Sequence, residues 1–576
     1  MKVTDKIAEI LSNNNIKNIF GLQGGAVVHI FDSLEKKNFN VTYNHHEQSA
    51  ALAAVANAKV TKNIGCAVVT TGPGSTNAIT GLLASWQDSV PCIFISGQAR
   101  SNHVSYGKKV RQVGTQEVNI CDIVKPITKY SKFIKDANQV EFEFNKAIEI
   151  AKSGRPGPVW LDIALDVQWQ KIKKFKKKFK PKKTKIYKNQ YKFKKAIKLI
   201  KNSSKPLFVI GYGVRTSNIK IDSLKNFFEL NNLPYVLTWN SADIASSDDI
   251  NNLGIIGMSG QRGANKAVFQ SDLLICLGTH LSIPHTTTLY DSYALKAKKI
   301  IVNIDKDQLK NLNIKFDLKI LDDVANFINF LIKQKNIKKI KKLHINKAYN
   351  WYNFKSKKVN SNIFIKKLTS KIKSKKCIIV DGGGTALYAG FQSSILYDND
   401  RIICSSAISS MGTGLAETIG VAKSKIFKQL VCVIGDGSFL MNCQDLQNIY
   451  QNQMNVIILV VNNNGYLAIR HTQKEFLNKK YYGTSPKGNL TFPSIKKISY
   501  AFNIKYFKID KIKNEEKVIN QLIKYKGPKI CELKVDENQD SLFKQGYKKN
   551  INGTFSPMTL EEMYPFVNKP ISNTNN

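Results

Sequence analysis

Acidic side chains are scarce in this chain. Across 576 residues, 42 Asp and Glu stand against 87 Lys and Arg, for a formal net charge of +45 at pH 7. Such an excess raises a nucleic-acid or anionic-membrane partner as a candidate. The basic runs, however, lack the interleaved aromatics and glycines of a nucleic-acid module. Lys, Asn and Ile are abundant everywhere, as an AT-rich genome would produce, so the charge reads as composition and no nucleic-acid partner is expected. A basic nucleic-acid-binding protein stays as the non-enzyme alternative, marked by steeply salt-dependent binding. Long apolar runs are missing too: "VIILVV" is among the longest, and no membrane span is expected. The opening "MKVTDKIAEILSNNN" reads as an amphipathic helix without a signal-peptide core. No two of the nine cysteines have CxxC spacing, and most sit in apolar segments. That excludes a disulfide frame or zinc ribbon and fits the reduced, buried thiols of a cytoplasmic protein.

What is present is ordinary apolar content, 43%, enough for sizeable cores. Helical patterns alternate with short apolar strands such as "CAVVTTGPGS", "PLFVIGYGV", "DLLICLGTH", "CIIVDGGGTAL" and "NVIILVVNNNGYL". The alternation predicts an α/β fold of three domains, each a parallel sheet flanked by helices. The expected divisions are an N-terminal domain at 1–170, a basic linker at 171–190, a central domain at 191–335, a C-terminal domain at 351–550 and a tail at 551–576. A second lysine-rich connector runs from about 333 to 347.

The chemistry concentrates in the third block. "VCVIGDGSFLMNC" puts Asp436 between Gly435 and Gly437 at the end of an apolar strand. The glycines permit a tight turn and close approach to a ligand. Amides of Gly437 and Ser438, opening the next helix, favour phosphate. Asp436 is itself an anion, so a divalent cation between it and the phosphate resolves the conflict, and Mg2+ suits a carboxylate shared with phosphate oxygens. Asn463, 27 positions on (463 − 436), closes a second apolar strand as part of an NN pair, and its amide oxygen is another hard donor. A lone GDG is weak evidence; the pair of strand ends is strong.

"GDGSFLMNCQDLQNIYQNQMNVIILVVNNNGYL" resembles the thiamine-diphosphate fingerprint of the acetolactate synthase and pyruvate decarboxylase superfamily. The resemblance implies that Asp436, Asn463 and the Gly465 carbonyl hold Mg2+ and, through it, the diphosphate of the cofactor. Gly435, Gly437, Ser438 and Tyr466 would border that group, with Gly384 and Thr385 from "DGGGTAL" contributing to the diphosphate. Met411 in "SSMGTGLAETIG" stands where the family has a bulky apolar residue that bends the cofactor into a V. The likeness spans nearly the whole chain. "GGAVVHIFDSL", "YNHHEQSAALAAVANAKVT" and "TTGPGSTNAITGLLASWQDSVPCIFISGQ" resemble the pyrimidine-binding domain. They imply cofactor contacts from Gly24, Gly25, Thr71, Gly72, Gly74 and Asn77. Glu47 occupies the position of the catalytic glutamate, which exchanges a proton with the aminopyrimidine so that the cofactor can act as a carbon nucleophile. "RQVGTQEVNICDIVKPITKYS" places Gln116 at the family's active-site glutamine.

The function so implied is decarboxylation of a 2-oxoacid, with pyruvate the first candidate, and transfer of the two-carbon unit to a second small-molecule carbonyl. A homodimer or homotetramer is expected, with Glu47 and Asp436 of one site coming from different subunits. Three departures bear on specificity. Thr115 stands before Gln116 where acetolactate synthases have Phe, and Thr472 stands at about the position of their acceptor-side Trp. The tail "NGTFSPMTLEEMYPF" resembles enzymes that add the two-carbon unit to a keto-sugar in surface-polysaccharide synthesis. In the central block, "GIIGMSGQRGAN" resembles the flavin-contacting loop, but "THLSIPHTT" replaces the usual Arg-rich stretch, leaving FAD binding open. A non-ligating decarboxylase is the other enzymatic alternative; its paired histidines should follow the glutamate, whereas His45 and His46 precede Glu47.

Overall fold

The computed structural model describes residues 1–173, 179, 189–334, 337, 356–539 and 542–566. Most of the expected basic linker, most of the second lysine-rich connector and all of the last ten residues of the tail lie outside the described residues. By compactness the chain divides into one unit of Met1–Thr184, Ser374–Leu387 and Ile403–Glu537, and another of Lys185–Lys373, Tyr388–Ile402 and Asn538–Asn576.

Three six-stranded sheets carry the fold, as the alternation predicts. The first comprises β1 (Asn18–Gly21), β2 (Asn40–Tyr43), β3 (Gly65–Val69), β4 (Cys92–Gln98), β5 (Tyr130–Ile134) and β6 (Val159–Ala164), in the order β2-β1-β3-β4-β6-β5, every pair parallel. β3, β4 and β6 are buried along their whole lengths, which is why they read as continuous apolar runs rather than alternating ones. The central sheet has β7 (Pro206–Ile210), β8 (Tyr235–Leu237), β9 (Asn252–Ile255), β10 (Leu273–Leu277), β11 (Lys298–Asn303) and β12 (Leu318–Leu321) in the order β12-β11-β10-β7-β8-β9. Counted within the domain this is 3-2-1-4-5-6, the doubly wound dinucleotide order, whose switch point lies between β7 and β10. The last sheet has β13 (Lys376–Val380), β14 (Arg401–Ile403), β15 (Gln429–Gly435), β16 (Val456–Asn462), β17 (Lys505–Ile509) and β18 (Lys529–Lys534), ordered β14-β13-β15-β16-β18-β17. Its strand order repeats that of the first sheet.

The Glu47–Thr61 helix explains its own composition. His46 caps it, the ring Nδ1 accepting the Gln48 amide at 3.1 Å. Beyond the cap the helix is almost wholly buried. On one side it meets the Ile79–Gln87 helix, where a Cβ at Gly81 would fall 2.4 Å from the Ala51 Cβ. On the other it meets the Thr413–Lys423 helix, where a Cβ at Gly420 would fall 2.0 Å from the Ala53 carbonyl oxygen. At both points of closest approach the facing residue is a glycine with no room for a Cβ, and small alanines on this helix let the helices come that near. Asn57 fastens the second contact, its Nδ2 donating to the Gly420 carbonyl at 2.9 Å.

Glu417 on the Thr413–Lys423 helix is fully buried. One carboxylate oxygen accepts from Ser405 Oγ, and the other has no hydrogen-bond partner among the described residues. Burial pushes its carboxyl up to about 7; Lys59 pulls it down, while Asp88 and Asp381 add to the rise. A carboxyl held above its unfolded value keeps its proton more tightly in the fold. Its contribution is therefore whole below the ordinary value of 4.5 and is lost as pH rises through about 7. The expected result is that, between pH 5 and 8, wild-type stability falls relative to Glu417→Gln by up to about 3 kcal/mol, measured by denaturant unfolding of both proteins at the two pH values.

Candidate active site

In a parallel sheet, ligands collect beyond the carboxyl ends of the strands. β15 and β16 are direct neighbours, with Gly435 in register with Val461, so the residues that follow them, Asp436 and Asn463, emerge side by side. Asp436 is 5% exposed. Its Oδ1 accepts the Gly437 N–H at 2.8 Å and its Oδ2 accepts the Gly465 N–H at 2.9 Å. Burial pushes its carboxyl up to about 6, against the pull of those backbone donors. Asn463 is 3% exposed; its Nδ2 donates to Thr385 Oγ1 at 3.0 Å, which fixes the amide orientation. That orientation leaves Asn463 Oδ1 buried with no hydrogen-bond partner among the described residues. A buried, orphaned carbonyl oxygen next to a buried carboxylate wants a cation.

The surroundings fit a metal-linked diphosphate. Among the described residues, a Cβ at Gly435 or at Gly384 (φ +59°) would meet no atom within 4 Å, so both glycines border open space. At Gly437 a Cβ would fall 2.2 Å from the Tyr466 ring, so this glycine is needed for Tyr466 to close over it. The expectation that the Gly437 amide points at phosphate needs correction: it donates to Asp436 Oδ1, the carboxylate one position earlier reaching back to it. Among the described residues no three His, Cys, Asp or Glu side chains could hold a metal together. The donor set here is one carboxylate with neutral oxygens, which suits a hard cation that shares substrate phosphates. Ser438 is buried at the start of the Asp436–Met441 helix. Met411 rests on the Gly383 backbone, where a Cβ would fall 2.3 Å from its Cγ.

A second group gathers beyond β3. Glu47, 7% exposed at the start of its helix, accepts from Asn77 Nδ2 at 3.1 Å through Oε2. A Cβ at Gly74 would lie 3.4 Å from Glu47 Oε1. Thr71 Oγ1 donates to Gln98 Oε1 at 2.9 Å and approaches the Gln116 carbonyl at 3.2 Å. Gly72 and Gln116 both lie in the left-handed region (φ 62° and 56°), and a Cβ at Gly72 would fall 2.3 Å from the Gln116 carbonyl oxygen. The Gln116 backbone is thus seated, while its side chain is exposed. Gly24 sits against Thr70, and Gly25 faces open space among the described residues. Three further residues belong to these groups. Asp381 is fully buried after β13 and accepts from the Gly383 and Gly414 amides. Asn442 donates to both Gln48 Oε1 (3.1 Å) and the Gly412 carbonyl (2.8 Å), tying the start of the Glu47 helix to the Met411 turn. Arg470 binds the loop that carries Asn463. Only Asp381 has a signal in the sequence: it repeats the strand–carboxylate–glycine pattern of Asp436.

Comparison with known proteins gives the same three regions. Residues 1–123 match the thiamine pyrophosphate enzyme N-terminal TPP binding domain, residues 193–331 its central domain and residues 382–533 its C-terminal TPP binding domain. The acetolactate synthase large subunit of Buchnera aphidicola subsp. Schizaphis graminum is 31% identical over 495 residues, covering 81% of this chain and 83% of its own. That of Porphyra purpurea is 29% identical over 563 residues, covering 93% and 92%. Acetolactate synthase isozyme 2 large subunit of Escherichia coli K12 is 26% identical over 538 residues, covering 92% and 95%. With its strand-end carboxylates and glycines set out as above, and with relatives aligned over most of both lengths, the chain belongs to the thiamine pyrophosphate enzyme family, in its acetolactate synthase-like group.

Proposed function

We propose that the chain decarboxylates a 2-oxoacid, with pyruvate as donor, and transfers the two-carbon unit to a second carbonyl, as an acetolactate synthase does. The observation that carries the reading is the orphaned Asn463 Oδ1 beside buried Asp436 at two adjacent strand ends, in a chain aligned along most of its length with acetolactate synthase large subunits. When bound, thiamine diphosphate supplies the carbon nucleophile and the electron sink for decarboxylation. Asp436, Asn463 and the Gly465 carbonyl hold Mg2+ against the diphosphate, with Gly384, Thr385, Gly435 and Ser438 around it. Glu47, oriented by Asn77, moves the proton at the aminopyrimidine N1′. Met411 and Tyr466 shape the cleft, and Gly24, Gly25, Thr71, Gly72, Gly74 and Gln116 line its pyrimidine side. The active assembly is a homodimer or homotetramer in which Glu47 and Asp436 of one site belong to different chains. Exposed apolar side chains on both halves support this: Val28, Trp86 and Val113 on one, Met441, Ile469, Phe476 and Tyr482 on the other.

The paired histidines of a simple decarboxylase should follow the glutamate, whereas His45 and His46 precede Glu47, which speaks against that alternative; His46 itself caps the Glu47 helix. Thr115 and Thr472 are exposed, and neither offers an aromatic wall to an acceptor. That favours, as a second reading, an acceptor larger and more polar than a 2-oxoacid, such as a keto-sugar. The test is pyruvate alone against pyruvate with a panel of acceptors. Acetolactate from pyruvate alone supports the first reading. A rate at least about tenfold higher with a keto-sugar supports the second. Acetaldehyde without any ligated product contradicts both.

FAD is proposed for the central domain. Trp239 follows β8 and His285 lies beyond β10, either side of the switch point, their rings 5.9 Å apart. Trp239 Nε1 and His285 Nε2 are buried without hydrogen-bond partners among the described residues, which fits a polar ligand there. Flavin absorbance near 450 nm in the purified protein, released by acid, is the expected result. No steps of the carboligation pass through it. Among the described residues no helix is long and apolar enough to cross a membrane, and we place the enzyme in the cytoplasm.

A further inference from the structure

We infer that Arg470 is the positioning residue of the metal loop, a planar clamp that sets the loop's carbonyls so that Asn463 and Gly465 face the cation. The inference rests on the metal-site reading above and names a residue outside its donor set.

Arg470 lies in the Leu467–Phe476 helix that follows the loop, and it is 7% exposed. Its two terminal nitrogens each bridge two backbone carbonyls. Nη2 donates to Asn463 at 2.7 Å and Glu537 at 2.8 Å; Nη1 donates to Thr484 at 3.0 Å and Asn464 at 3.1 Å. Three separate segments are therefore pinned by one guanidinium: the loop itself, the turn at 484 and the strand exit at 537. A guanidinium can do this because its donors diverge at fixed angles, which the rotating ammonium of lysine cannot reproduce.

The loop needs such a device. Asn464 has φ 59° and Gly465 has φ 134°, consecutive conformations that a free chain rarely holds together. By taking the carbonyls of Asn463 and Asn464, Arg470 leaves Gly465 as the residue of this run whose carbonyl is assigned to the metal. The Gly465 and Tyr466 amides are held at the same time, by Asp436 Oδ2 at 2.9 Å and the Thr484 carbonyl at 2.9 Å. The clamp packs so tightly that a Cβ at Gly465 would fall 2.8 Å from Arg470 Nη1 and 2.1 Å from the Thr484 carbonyl oxygen. The same helix anchors the other edge of the turn. Gln473 Nε2 donates to the Tyr482 carbonyl and its Oε1 accepts from Thr484 Oγ1, both at 2.9 Å.

The experiment titrates full-length wild type, Arg470→Lys and Arg470→Ala with Mg2+ at fixed thiamine diphosphate, followed calorimetrically. The expected result is a Mg2+ dissociation constant raised about 10–100-fold in Arg470→Lys. Its kcat should stand within about threefold of wild type once Mg2+ saturates, because no reacting atom has been touched. Guanidinium added to Arg470→Ala should recover part of the lost affinity. Wild-type binding with an Arg470→Lys constant within threefold of it overturns the inference and leaves the metal site intact. Absence of Mg2+-dependent binding in wild type overturns the metal-site reading, and the inference with it. Loss of the folded state in Arg470→Lys but not in Asp436→Asn also overturns the inference, since the side chain would then be holding the fold rather than the loop.

Discussion

Glu47→Gln is expected to lower turnover about a thousandfold while leaving the fold and cofactor affinity close to wild type. The substitution keeps the shape of a side chain whose helix is held on two sides by close helix crossings at Gly81 and Gly420. An amide oxygen can still accept from Asn77 Nδ2, the bond that Glu47 Oε2 makes at 3.1 Å. The amide cannot take up or release a proton, and that is the function assigned to the residue. Steady-state turnover with pyruvate, paired with calorimetric binding of thiamine diphosphate, separates the two effects. Equal losses of binding and rate would make Glu47 a structural residue. Retention of more than a tenth of the activity would remove it from the proton transfer altogether.

Asp436→Asn should weaken Mg2+-dependent cofactor binding by roughly a hundredfold, corresponding to about 3 kcal/mol for a charge-assisted contact. The expected loss has two sources. The cation loses its only charged protein donor in the proposed set. In addition, both carboxylate oxygens now accept backbone amides, from Gly437 and Gly465. Either orientation of an asparagine amide sets its NH2 against one of those N–H groups, so the loop is pushed away from its seat. Binding isotherms at fixed and varied Mg2+ measure the effect. An unchanged isotherm would assign the diphosphate to another part of the chain.

The fold was legible where burial forces continuous apolar runs. β15 and β16 are recognisable in the sequence for that reason, and the residues after them announce themselves by being polar at the end of a greasy strand. Spacing alone did not say that the two strands are neighbours. Their pairing, Gly435 opposite Val461, is a property of the sheet order, which the alternation of helix and strand leaves open. The matching orders of the first and last sheets and the dinucleotide order of the central one were hidden for the same reason. At the site, carboxylates and glycines carry local signals, whereas Arg470 and Asn442 do not. The partners of Arg470 are main-chain carbonyls, at 463, 464, 484 and 537, and Asn442 has partners far along the chain, at Gln48, Ser49 and the Gly412 carbonyl. A carbonyl has no residue identity to read. The Gly437 amide was misdirected in the sequence reading because a short side chain one position earlier could reach back to it.

The central claim is that Glu47 and Asp436 serve one cofactor from two chains, and a subunit-mixing experiment tests it directly. Glu47→Gln and Asp436→Asn chains, each inactive alone, are unfolded or dissociated together, reassembled, and assayed once mixed assemblies have been verified by mass. In a mixed dimer with shared sites, one site collects both substitutions and the other has neither, so activity should return to about a quarter of wild type for random C2 pairing. If mixed dimers form and the activity stays at the level of the separate variants, each site is built within a single chain and the account is contradicted.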